Sequence, residues 1–154
     1  MPQEDRAPSP KSRVAQDAHR RLLLLSADWQ TRATVLVTLK ELGYEVMALP
    51  RFKWGLKALL QGRVDPPLVL VDSKDDPDMS PEQVRYLREL LPDVPIILLT
   101  TAFQRPAYEA VRDQVDAFLV RPVTVRMVVE AVQKLLPPHH PPPQEPSQQE
   151  PSQP

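Results

Sequence analysis

Four short apolar runs in this 154-residue chain each end on a residue that can do chemistry. Leu68 to Val71 delivers Asp72, Ile96 to Leu99 delivers Thr100, Ala117 to Val120 delivers Arg121, and Leu22 to Leu25 ends in Ser26-Ala27-Asp28. A carboxylate accepts hydrogen bonds or an electrophilic group, while a hydroxyl and a guanidinium bind anionic oxygens. A guanidinium also meets a carboxylate as a two-pronged fork. Each residue has a plainer reading too, since Asp at a strand end commonly caps a loop and a strand-end Thr or Arg is ordinary. A fold that gathers the run ends at one mouth would bring carboxylate, hydroxyl and guanidinium together.

Composition removes other chemistries. With no cysteine there are no disulfides, thiolate zinc sites or thiol nucleophiles. Gly43, Gly55 and Gly62 are the only glycines, too few for a dinucleotide or P-loop phosphate cradle. The histidines, His19, His139 and His140, lie in segments that read as tails, so the core has no imidazole base and no Ser-His-Asp triad. Adjacent histidines in such a tail lack pre-formed metal geometry. Lys and Arg total 19 against 20 Asp and Glu, so no basic stripe points to nucleic acid. Leu22 to Leu25 is too short for a signal-peptide core or a membrane span, and a cytoplasmic protein without a membrane partner is expected.

The ends differ from the middle. Residues 137–154 carry eight of the 20 prolines and no Val, Ile, Leu or Phe, and residues 1–19 are similarly poor in apolar side chains. Both are predicted to be disordered extensions, the second a spacer or a polyproline II ligand. Residues 20–136 form the expected domain. There, largely apolar strands at 22–25, 44–49, 68–71, 96–99 and 117–120 alternate with helical patterns at 29–42, 52–61, 80–91, 106–113 and 124–136. Asp28 and Ser80 are the expected N-caps, Gly43 and Gly62 the stops. Strands apolar on both faces need helices on both faces, which makes the domain α/β with a parallel sheet. In such sheets ligands gather at the carboxyl ends of the strands.

These residues and their spacing resemble the receiver domain of two-component response regulators over roughly residues 20–136. The resemblance implies a flavodoxin-like (βα)₅ three-layer sandwich with strand order 2-1-3-4-5. It places Asp72 at the position that accepts a phosphoryl group from a histidine kinase, Thr100 at the phosphate-binding hydroxyl, Arg121-Pro122 at the lysine-proline pair and Phe118 at the aromatic switch. Leu42-Gly43-Tyr44 matches the close of the first helix.

Two departures mark it as an atypical receiver. The family holds Mg²⁺ with an acidic pair after the first strand, where this chain has Ser26 and Ala27, so no metal or other cofactor is expected. Asp28, aided by Asp75 or Asp76, is the alternative metal ligand. The other departure is Arg121, a planar fork in place of a compact ammonium. Without a metal, Arg121 is expected to pair with Asp72 in a bidentate salt bridge that neutralises the site.

The expected protein is a non-enzymatic signalling module acting through protein contacts, with a histidine kinase, an effector or a second copy as partner. The partner face implied by the family comprises Arg105, Tyr108, Arg112, Phe118 and Arg126. A switch phosphorylated on Asp72 is the alternative; an FMN-binding protein lacks its phosphate cradle. Trp29 is expected near the site mouth, and Trp54 and Phe118 as packing residues.

Overall fold

A computed structural model describes residues 20–138, so residues 1–19 and 139–154, with His19, His139 and His140, lie outside the described residues. The strands are β1 (Leu22–Leu25), β2 (Val46–Leu49), β3 (Val69–Asp72), β4 (Ile96–Thr100) and β5 (Ala117–Val120). The helices are α1 (Trp29–Glu41), α2 (Phe52–Leu60), α3 (Pro81–Leu90), α4 (Arg105–Tyr108) and α5 (Val125–Leu135). The sheet is wholly parallel in the order β2-β1-β3-β4-β5.

The apolar runs are continuous because each strand is covered on both faces. Leu23, Leu25, Val69, Val71, Ile96 and Leu98 face α2, α3 and the α4 segment, meeting Phe52, Ala58, Val84, Leu87 and Val111. Their neighbours Leu22, Leu24, Leu70, Ile97 and Leu99 face α1 and α5, meeting Val35, Leu39, Val128 and Val132. Successive strand residues thus feed two cores, as the two-residue period of a strand requires.

Local chemistry sets the helix ends. Ser80 accepts the Gln83 amide with Pro81 behind it, and Thr124 accepts the Met127 amide. Gly43 and Gly62 take φ of 96° and 71°, a left-handed turn that stops α1 and α2 at little cost. Asp28 sits at the N-cap of α1, but its side chain makes no capping bond. It turns instead to the Thr31 hydroxyl at 2.5 Å.

The helix expected over 106–113 divides into the single turn of α4 and a 3₁₀ segment, Glu109–Gln114. Tyr108, the last residue of α4, and Val111, in the 3₁₀ segment, are both buried in the same core. This overturns the expected exposure of Tyr108 on a partner face. Trp54 departs in the other direction, standing 44% exposed beneath the ammonium groups of Lys53 and Lys57. Among the described residues no helix is long and apolar enough to cross a membrane.

Burial, reinforced by the charges of Asp76 and Glu82, pushes the Tyr108 phenol up to about 12 from an ordinary 10.0. The folded state therefore holds this proton more tightly than the unfolded chain, and the associated stability is complete below pH 10. It is expected to fall as pH rises from 10 toward 12. Denaturant melts across that window check this, with Tyr108→Phe expected to flatten the fall.

Candidate functional site

The pleat decides which strand-end residues meet. Asp72 continues the face of Leu68 and Leu70, Ser26 that of Leu22 and Leu24, and Arg121 that of Ala117 and Leu119. All three project to the α1/α5 side at the carboxyl edge of the sheet. Thr100 follows Ile96 and Leu98 onto the opposite face, as does Phe118. The mouth is therefore divided between the two sides of the sheet.

Asp72 is buried and its carboxylate is fully engaged. Arg121 donates Nη1 to Oδ1 and Nη2 to Oδ2, both at 2.7 Å, forming the two-pronged pair expected from the sequence. The Ser26 hydroxyl donates to Oδ2 at 2.7 Å, and the Lys74 amide to Oδ1 at 3.0 Å. Each oxygen thus accepts two hydrogen bonds, which exhausts the roughly four acceptor sites of a carboxylate. Ser26 is a hydrogen-bond donor to Asp72 and not merely a lost ligand; the sequence signal was its place on the same strand face.

Arg121 has a second set of partners. Its Nη2 donates to the Thr31 hydroxyl at 3.1 Å and lies 3.5 Å from Asp28 Oδ2. Burial disfavours the guanidinium charge, but the hydrogen bond and charge of Asp72, with the charges of Asp28 and Asp75, outweigh it and raise the Arg121 pKa. The Thr31 hydrogen bond pulls the Asp28 carboxyl below its ordinary range against desolvation, helped by Lys74 and Arg121. The Arg121-Pro122 peptide is cis.

This arrangement does not fit a divalent cation. A guanidinium occupies both oxygens of Asp72, and Ser26 and Ala27 offer no charge. The substitute set does not assemble either. Asp28 is committed to Thr31, Lys74 and Arg121. Asp75 is exposed on the loop, and Asp76 accepts the amides of Phe52 and Asp78 while facing Arg51. Among the described residues no group of three or more His, Cys, Asp or Glu is placed to hold a metal.

Thr100 is buried and bound to the Ser73 hydroxyl at 2.7 Å; Ser73 in turn reaches Gln104. No hydrogen bond joins Thr100 to Asp72 among the described residues. Phe118 packs against the core, with the Arg112 guanidinium 4.8 Å from its ring centre. Of the expected partner face, Arg105 and Arg112 are exposed and pair with Glu109, and Arg126 pairs with Glu130. Trp29 is 70% exposed at the start of α1, beside this mouth.

No protein-family model matches the chain. No curated protein matches it in sequence. Solved structures do. A response regulator from Thermotoga maritima, solved with Mg²⁺ and BeF, is 28% identical with a TM-score of 0.60, covering 76% of this chain and 99% of that one. A CheY-like receiver domain protein from Methanospirillum hungatei is 25% identical, with a TM-score of 0.63 and coverages of 75% and 93%. A structure described as adenylate cyclase from Rhodopirellula baltica is also 25% identical, with a TM-score of 0.64 and coverages of 76% and 87%. Most neighbours are response-regulator receiver domains, and the fold and strand order here are theirs. The chain has the fold of these receiver domains, and the neighbours support a response-regulator-like signalling module.

Proposed function

We propose that this is an atypical receiver, held in one state by Arg121 and acting through protein contacts without Mg²⁺-dependent phosphorylation. The observation that carries this reading is the saturated carboxylate of Asp72. Attack on a phosphoryl group needs a free carboxylate oxygen and a cation to offset the charge that gathers on donor and acceptor. Asp72 offers no free oxygen until a charge-assisted bond breaks, and Arg121 stands against it in place of a metal. The module has no catalytic activity of its own in this account and works in the cytoplasm on a signalling partner, a histidine kinase or an effector. Arg105, Arg112 and Arg126 supply its contact face, since their exposed ion pairs open at little cost.

Trp29 at the mouth reports on the site. In a Trp54→Phe background, titration with Mg²⁺ and then beryllium fluoride is expected to leave Trp29 fluorescence unchanged. A saturable response abolished by Asp72→Asn would favour the alternative, a phosphorylatable switch.

A further inference from the structure

The exposed side of α2 combines cations with an exposed indole. From Arg51 to Arg63 the chain has four cations and no acid. Arg51 is engaged with Asp76 and Asp78, but no ion pair joins Lys53, Lys57 or Arg63 to a carboxylate among the described residues. Trp54 lies in the middle of this row, with Lys53 and Lys57 at 5.6 and 5.9 Å from its ring centre. Leu49, Pro50, Trp54, Lys57, Gln61 and Arg63 line a groove of about 520 Å³ between α2 and the end of β2. β2 is an edge strand, half-buried along its length.

The exit of α5 lies at the foot of the same edge. The Tyr44 hydroxyl donates to the Leu136 carbonyl, and Tyr44 stands two residues before β2. α2 runs back along the sheet from the carboxyl end of β2, so Gln61 and Arg63 lie toward this foot and Trp54 toward the other end. A chain leaving Leu136 thus needs only to round β2 to enter the groove from its Arg63 end.

The segment that leaves there complements the groove in charge. Residues 139–154 contain Glu145 and Glu150 and no Lys or Arg. They also contain a tandem repeat, Gln-Glu-Pro-Ser-Gln at 144–148 and again at 149–153. In a polyproline II form, at about 3.1 Å per residue, sixteen residues reach roughly 50 Å and the two glutamates stand about 15 Å apart. Lys53 to Leu60, the last residue of α2, rises about 10 Å, and Arg63 lies three residues further on, past the turn at Gly62. Prolines presented on such a ribbon are ligands for aromatic grooves.

We propose that residues 139–154 dock within the same chain onto the Trp54 groove, with Glu145 toward Arg63, Glu150 toward Lys53 and Lys57, and the repeat prolines on the indole. Tethering favours this contact, because a short linker gives an effective concentration in the millimolar range without a new partner. This assignment is independent of the state of Asp72.

The test uses the full chain, whose lack of cysteine makes an introduced one unique. A nitroxide spin label on Ser147→Cys should cut the ¹H–¹⁵N signals of the Trp54 indole, Lys57 and Arg63 to roughly half or less. Adding Glu145→Lys and Glu150→Lys, or raising salt, should restore them. Full intensity at Trp54 and Lys57 in the labelled chain, or broadening confined to another face, would overturn the proposal. So would broadening that persists undiminished when spin-labelled, unenriched chain is mixed with label-free ¹⁵N chain, which would assign the groove to a second copy.

Discussion

Replacing Arg121 by alanine is expected to cost about 3–5 kcal/mol, because it leaves a buried carboxylate with its strongest partner gone. Asp72 would keep only the Ser26 hydroxyl and the Lys74 amide. Against a domain stability of about 5–15 kcal/mol this is a large fraction, and the melting temperature should fall by roughly 10–25 °C. Arg121→Lys should recover only part of it, since one ammonium cannot reproduce two parallel bonds. Removing both charges, as Asp72→Leu with Arg121→Met, should be much milder than either single change, as desolvating the pair offsets most of its attraction. Urea melts of the singles and the double form a cycle that measures the coupling. Losses below about 1 kcal/mol for Arg121→Ala would mean that the fork contributes little more than a surface ion pair.

Arg88→Ala is the second large effect, and it acts far from the site. Arg88 donates Nε to Gln114 O, Nη1 to the carbonyls of Leu91, Pro92 and Val94, and Nη2 to Asp116 Oδ2. One side chain thereby ties the end of α3, the approach to β4 and the start of β5. The same Asp116 oxygen accepts the Ile96 amide at 2.8 Å, so β4 is fastened through the pair. Losing these bonds strands several partly buried acceptors, and about 2–4 kcal/mol is expected. The denaturant midpoint should fall while its slope stays constant, and Arg88→Lys should recover little. A loss no larger than that of an exposed pair such as Arg126–Glu130 would contradict this role.

Much of the fold was legible because the strands are apolar on both faces. Leu22 to Leu25 and Ile96 to Leu99 have no alternation to obscure them, and Ser80 and Thr124 cap their helices as their types require. The Asp72–Arg121 pair was expected from the resemblance, which implies a lysine at Arg121 and an acidic pair at Ser26 and Ala27, together with the two-pronged geometry of a guanidinium. Less could be read where packing overrides local preference. Tyr108 packs into the core at the end of α4, while Trp54 stays outside because its lysines, and not the core, cover its ring. The link from Thr100 to Ser73 depends on strand register, which places Leu99 and not Thr100 opposite Asp72.

Asp72 carries four hydrogen bonds, and the proposed reading holds that they keep it from accepting phosphate. Incubation with a small-molecule acyl phosphate and Mg²⁺, followed by intact-mass measurement, tests that reading most directly. The wild-type chain should show no phosphoryl adduct, and peptide mapping should find Asp72 unmodified. A stable, Mg²⁺-dependent adduct that maps to Asp72 and disappears in Asp72→Asn would contradict the account.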